Sequence, residues 1–161
     1  MKGFTILEVL LSLIILSFFI TMIFFSIFWI KEKSDVYKVR SDLLEEMIFL
    51  RQKISWVLEN SEIIEPLGGA TSSFIKVNKR NFNLNPILIE FFDQNLFISY
   101  AGGEKFKLNS SLFKILNAAF HRDSFPQGDA IYIIINLKPN VYFKEIQNLE
   151  TKIELKKFLP K

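Results

Sequence analysis

The sequence predicts an α+β protein. A long N-terminal α-helix spans a membrane with its first half and packs with its second half on an antiparallel β-sheet. Three observations support this prediction. No glycine or proline occurs between Phe4 and Glu65, which favours one continuous helix. The first 30 residues hold most of the excess of apolar side chains. From Phe74 onward, apolar and polar residues tend to alternate with the period of two that is typical of strands.

The composition excludes several classes of function. A chain of 161 residues suits one domain of ordinary size. Its net charge of +3 is too small and too evenly spread to indicate nucleic-acid binding. The absence of cysteine excludes disulfides, thiolate catalysis and cysteine-based metal sites. The single histidine, His121, cannot make a histidine-rich metal site, and we predict no cofactor.

The run from Val9 to Ile30 has neither a charged residue nor a helix breaker. At 1.5 Å per residue, its roughly 22 residues span a hydrocarbon core of about 30 Å. Trp29 suits the membrane interface. Hydroxyl groups are tolerable in lipid where they bond back to the helix backbone, and the run contains four of them: Ser12, Ser17, Thr21 and Ser26. A domain this small could hardly bury such a helix on every side. A signal peptide would have a shorter apolar core, followed by a small-residue cleavage site.

Glu8 is the one charged residue inside the apolar N-terminal stretch. An isolated carboxylate in lipid costs about 2.5–3.5 kcal/mol or more. Glu8 therefore requires either a shallow position, from which it reaches the interface, or a positively charged partner from another subunit.

Residues Gly3 to Leu10, GFTILEVL, resemble the N-terminal signature of type IV prepilins and type II secretion pseudopilins. In those families a prepilin peptidase cleaves after the glycine of a short basic leader and methylates the new N-terminal residue. The resemblance implies a leader of residues 1–3, cleavage between Gly3 and Phe4, and N-methylation of Phe4. It also implies that Glu8 takes part in subunit assembly by pairing with the N-terminal amine of a neighbouring subunit.

The same resemblance implies a pilin-like fold and a structural role without enzymatic activity, in a type IV pilus or in a secretion or competence pseudopilus. The implied partners are the prepilin peptidase, other pilins, the inner-membrane assembly platform and the lipid bilayer. The N-terminus is expected in the cytoplasm and the head outside. The positive-inside rule alone weakly favours the opposite orientation, since four basic residues follow the span: Lys31, Lys33, Lys38 and Arg40. The alternative is a single-pass, membrane-anchored binding module unrelated to filaments.

The chain becomes amphipathic after residues 4–30, and residues 31–65 are predicted to form the second half of the helix. Helical capacity ends near Asn60-Ser61. Spacings of three and four predict a stripe that packs in the core: Val36, Val39, Leu43, Met47, Leu50, Ile54 and Val57, widened by Leu44, Ile48 and Leu58.

Residues 66–161 are predicted to form a β-rich head, with turns at 93–95 and 101–104, a loop at 123–129 and a central strand around Ile131–Ile135. The predicted strands are Ser73–Lys79, Ile87–Phe92, Leu96–Tyr100, Leu112–Ile115, Ala119–His121, Ile131–Leu137 and Ile153–Phe158. The layout is similar to that of J-type minor pseudopilins, in which a proline-containing loop precedes a strongly apolar strand, here Pro126 to Leu137. This likeness implies a minor subunit.

Candidates for chemistry in the head are few. Glu90 and Asp93 lie at a strand-to-turn position that favours a solvated edge over a catalytic pair. His121-Arg122-Asp123 has no obvious nucleophile to complete a triad. Asp123 and Asp129 flank the predicted loop, without the alternating oxygen ligands of a calcium loop.

The remaining motifs of the head have plain structural interpretations. Gly68-Gly69 and Gly102-Gly103 are interpreted as turns rather than phosphate-binding loops. The basic tail is expected to be the solvent face of a strand, or a device against edge pairing: Lys152, Lys156, Lys157 and Lys161.

Overall fold

The computed structural model describes residues 5–66, 69–140 and 151–160. Residues 159 and 160 are described by their backbone alone. The predicted α+β class is confirmed. The elements are α1 (Ile6–Leu58), β1 (Ser61–Glu65), β2 (Thr71–Ser72), β3 (Phe74–Lys79), β4 (Ile87–Phe92), β5 (Asn95–Tyr100), β6 (Lys105–Lys107), β7 (Phe113–Phe125), β8 (Gly128–Pro139) and β9 (Thr151–Pro160). The chain divides into two compact units, Met1–Arg40 and Ser41–Lys161.

The helix α1 is a single helix of 53 residues, as the absence of glycine and proline predicts. It ends at Leu58, slightly before the predicted limit. Asn60 has a φ of 53°, a left-handed conformation that ends helices and that asparagine tolerates better than most residues. Residues 61–65, which the sequence assigned to the helical half, instead form β1 and pair with β3.

Lysines from two strands satisfy carbonyl groups at the end of α1, whose last turn has no basic residue of its own. Lys79 Nζ donates to the carbonyls of Trp56 (2.5 Å) and Glu59 (2.6 Å). Lys157 Nζ donates to the Ser55 carbonyl (3.1 Å). Burial lowers the pKa of the Lys79 ammonium, and the Glu59 carboxylate opposes that effect. Positive charge is favourable at this end of the helix dipole. Lys157 therefore faces α1, contrary to the prediction of a solvent-facing tail.

The head contains two antiparallel sheets, where the sequence predicted one. The first has the strand order β1-β3-β4-β5-β6, and the second has the order β2-β7-β8-β9. The strands β3, β4 and β5 match their predicted bounds to within a residue. The prediction of an interior strand at Ile131 is confirmed, because β8 lies between β7 and β9.

The structure has one strand, β7, where the sequence predicts two, and a β-bulge explains the difference. The pairing of β7 with β8 shifts between Ile115 and Asn117. As a result, Leu116 and Asn117 are both exposed, while Ala118 and residues beyond it resume the inward alternation. The sequence alternation breaks at this point, and that break was interpreted as the end of a strand.

One connection between strands is shorter than predicted, and another has the predicted position. The expected loop at 123–129 is a turn of only Pro126 and Gln127, because Ser124 already pairs with Asp129. The predicted turn after β4 is confirmed at Asp93 (φ 47°) and Gln94 (φ 60°), which is typical of a type I′ hairpin.

The core of the second unit lies between α1 and the inward faces of the two sheets. Five helix residues belong to it: Leu43, Leu50, Ile54, Val57 and Leu58. Leu44 and Ile48 were assigned to the same stripe, but they remain 54% and 56% exposed. Successive helical residues are separated by about 100°, so both lie on the flank of the helix, beside the buried stripe.

Candidate functional site

The N-terminus of α1 is closed by reciprocal hydrogen bonds between Thr5 and Glu8. The Thr5 N–H donates to Glu8 Oε2 (2.9 Å), and Thr5 Oγ1 donates to the same oxygen (3.1 Å). In return the Glu8 N–H donates to Thr5 Oγ1 (3.3 Å). This is a capping box, which satisfies amide groups that the first turn of a helix cannot pair internally. The Glu8 carboxylate is therefore held at the positive end of the helix.

The capping box is a feature that the sequence interpretation missed although its signal was present. A threonine followed three residues later by a glutamate, just before an apolar run, is the known signature of such a box. The cleavage residues Gly3 and Phe4 lie outside the described residues. Of the predicted site residues, only Glu8 is therefore located by the structure.

The segment that follows the cap presents an apolar surface on every side. All of residues 5–30 are exposed, and α1 is long and apolar enough to cross a membrane. The predicted self-bonding of the hydroxyls is confirmed, at 2.8–2.9 Å to backbone carbonyls three or four residues earlier: Ser12 to Glu8, Ser17 to Ile14, Thr21 to Ser17 and Ser26 to Met22. The four hydroxyl groups of this segment are thus hydrogen-bonded within the helix, without water.

The head contains a hydrogen-bonded chain that the sequence did not predict. His121 Nδ1 lies 2.9 Å from Thr71 Oγ1, and His121 Nε2 lies 2.9 Å from Asp123 Oδ1. Thr71 lies 50 positions before His121 in the sequence. No local pattern therefore indicated that its hydroxyl contacts the histidine. The His121 and Asp123 side chains are each 37% exposed. The three groups lie on β2 and β7, and they tie the short strand β2 to its neighbour.

Asp123 and Asp129, considered as calcium ligands, are separated by the sheet. Asp123 bonds to His121, whereas Asp129 is buried and its Oδ2 accepts from Arg122 (2.7 Å). The Arg122 guanidinium also donates to the carbonyls of Ile63 (3.0 Å) and Pro66 (3.2 Å). This buried pair links β1, β7 and β8. In the described part of the chain, no group of three or more acidic or histidine side chains could hold a metal ion.

The other candidate residues lie on the five-stranded sheet and in its turns. Glu90 lines a cleft of about 460 Å³ on the five-stranded sheet and forms an ion pair with Lys105. Asp93 forms the β4–β5 turn. The predicted turn at Gly102-Gly103 is confirmed by the bond from Gly103 N to the Tyr100 carbonyl (2.9 Å). Gly68 and Lys161 lie outside the described residues.

Comparisons with known proteins found no protein-family model, no curated protein and no solved structure that matches this chain. The structure establishes the general class of this protein. It is an α+β protein whose N-terminal helix is long and apolar enough to span a membrane once.

Proposed function

We propose that this chain is a structural subunit, without enzymatic activity, of a type IV pilus or of a type II secretion or competence pseudopilus. A prepilin peptidase cleaves it after Gly3 and methylates Phe4, and the processed chain enters a filament through α1. Before assembly it resides in the cytoplasmic membrane, with its N-terminus inside and its head outside. The order of a proline and a strongly apolar strand in the sequence, Pro126 to Leu137, is the basis for proposing a minor subunit similar to the J-type pseudopilins.

The position of the Glu8 carboxylate is the observation that carries this proposal. The capping box holds the carboxylate beside the Thr5 amide, one residue along the chain from the position where cleavage would create an amine. A carboxylate at the end of an apolar helix, and an amine at the end of a neighbouring one, form a pair that removes two costs of burial in lipid. That pair would also fix the axial register between the two helices.

The surface of α1 supports the same role. A helix that is exposed and apolar on every side needs lipid around it, or other apolar helices. Residues 5–30 meet this description, with their hydroxyls already bonded to their own backbone. Such a helix can leave lipid for a bundle of like helices without exposing an unpaired hydroxyl group.

Mass spectrometry of the membrane-extracted protein tests the proposal. In cells with a working prepilin peptidase, the mass should correspond to the chain from Phe4 plus one methyl group. A replacement of Gly3 by alanine provides the uncleaved control, since the family signature requires the glycine. Recovery of the intact Met1-Lys2-Gly3 leader on the unaltered chain, in such cells, would reject the proposal.

A second function, a single-pass anchored binding module, is supported by the same capping box. The Thr5–Glu8 bonds account for Glu8 within one chain, so that no neighbouring subunit is needed to explain it. This function predicts an unprocessed chain, and the mass measurement therefore distinguishes the two.

A further inference from the structure

The strand β9 is the last strand in the described order of the four-stranded sheet. It runs over ten residues, Thr151–Pro160, and pairs with β8 along its inner edge. Among the strands that the structure describes, none pairs with its outer edge. An edge of this kind presents a row of backbone donors and acceptors that another strand can use.

An apolar groove lies next to that edge. It has a volume of about 390 Å³ and runs between α1 and the first residues of β9. Its helix side contains Leu44, Met47, Ile48 and Arg51, and its strand side contains Lys152, Ile153 and Glu154. The half-exposed Leu44 and Ile48, which the core leaves uncovered, are thus part of this groove.

One more strand on β9 would cover these two side chains. Neighbouring strands in a sheet lie about 4.8 Å apart, and the inward side chains of β9, such as Ile153, already pack in the core. An added strand would continue that inward face across the groove. Its alternate residues would then contact the exposed flank of α1.

The charges along β9 select what kind of strand can be added. The exposed face of β9 carries two lysines, Lys152 and Lys156, and one acid, Glu154, whereas Lys157 faces α1. Lys152 pairs with Glu154, and Lys156 lies 4.9 Å from the centre of the Tyr132 ring. A second copy of β9 paired with Lys152 opposite Lys156 would bring like charges together, which is unfavourable across strands, whereas a shift of two residues would place Lys152 opposite Glu154. An acidic strand would find opposite charges.

We propose that the outer edge of β9 and its groove bind an extended acidic segment of a partner protein, with apolar residues at alternate positions. The backbone of the segment pairs with β9, its apolar side chains cover Leu44 and Ile48, and its carboxylates face Lys152 and Lys156. This mode of recognition is strand addition to an exposed edge. It does not depend on cleavage after Gly3, so it stands or falls separately from the proposed function.

Peptide binding to the full chain in detergent micelles tests the proposal. The probe is a fluorescent nine-residue peptide of alternating glutamate and valine, compared with one in which lysine replaces glutamate. The acidic peptide should bind about tenfold more tightly, as expected for a few favourable cross-strand charge pairs. A third peptide, acidic but N-methylated at every amide, has no backbone donor on either edge and should not bind. Binding of the N-methylated peptide as tight as that of the parent would overturn the proposal, as would no binding of the acidic peptide.

Two double variants locate the binding surface. Lys152→Glu/Lys156→Glu should reverse the preference in favour of the lysine peptide. The matched control, Lys107→Glu/Lys114→Glu, makes the same change in net charge at exposed positions outside the groove and should leave the preference as it was. Circular dichroism establishes that both remain folded. An unchanged preference in the first variant, or an equal change in both, would contradict binding at β9.

Discussion

Replacing Glu8 with glutamine separates the two roles of this residue. Glutamine can occupy the same position in a capping box, so Glu8→Gln retains the cap and loses the negative charge. Thr5→Ala has the converse effect, because it removes the hydroxyl of the cap and leaves the carboxylate. The pair of variants distinguishes a glutamate that only ends a helix from one that pairs with a neighbouring amine.

The expected magnitudes differ enough to be measured. The cap consists of the bonds from the Thr5 amide (2.9 Å) and hydroxyl (3.1 Å) to one carboxylate oxygen and the return bond to Thr5 Oγ1 (3.3 Å). Loss of such a cap costs about 1 kcal/mol, which corresponds to about fivefold in an equilibrium. Removal of one partner from a buried ion pair costs about 3–5 kcal/mol, which is more than about 100-fold. Incorporation into filaments should therefore fall far more in Glu8→Gln than in Thr5→Ala.

A sheared-filament assay gives the ratio of incorporated to membrane-bound chain. Membrane insertion should be equal in all variants, since Val9 to Ile30 is unchanged, and Glu8→Ala should lose at least as much incorporation as Glu8→Gln. Cleavage after Gly3 is measured on the same samples, so that a processing defect is not mistaken for an assembly defect. Incorporation of Glu8→Gln at the wild-type level, or an equal loss in Thr5→Ala, would refute the pairing role.

Three further predictions concern the head. Leu50→Ala removes a fully buried side chain and should lower the free energy of unfolding by about 3 kcal/mol. Leu44→Ala, at an exposed position, should change the free energy of unfolding by about 0.5 kcal/mol or less. Urea unfolding of the full chain in micelles, followed by tryptophan fluorescence, compares the two variants. Arg122→Met should cost about 3–5 kcal/mol in the same assay, because the buried Asp129 carboxylate loses its guanidinium partner. His121→Ala should cost only about 1 kcal/mol, since its two bonds are partly exposed, and a larger loss would indicate a role beyond tying β2 to β7.

Local patterns in the sequence were sufficient to predict the helix and most strands. The absence of breakers predicted α1, and period-two alternation predicted β3, β4 and β5. The long strand β7 was divided in two because a bulge interrupts the alternation without ending the strand. The short strand β2 was missed because two residues carry no periodic signal. Its place depends on pairing with Phe120 and His121, far along the chain.

The candidate site was predictable only where its parts are close in sequence. Glu8 was identified by its apolar surroundings, and Thr5 could have been identified by its spacing from Glu8. The contact of His121 with Thr71 and the multiple bonds of Arg122 join distant segments, which no local pattern indicates. Leu44 and Ile48 are exposed because the strands cover only part of the helix surface. The spacing of apolar residues along the helix does not predict how much of that surface is covered.

Under the proposed function, the capping box gives a physical reason why the subunit is stable in a membrane before it joins a filament. Glu8 is the only charged residue within residues 5–30, and Thr5 donates two hydrogen bonds to one of its carboxylate oxygens. The box therefore reduces the cost of the charge while the subunit is alone. In the proposed filament the same carboxylate exchanges these bonds for a pairing with the amine of a neighbouring chain, so that neither charge is left unpaired in lipid. That exchange requires the amine that cleavage creates.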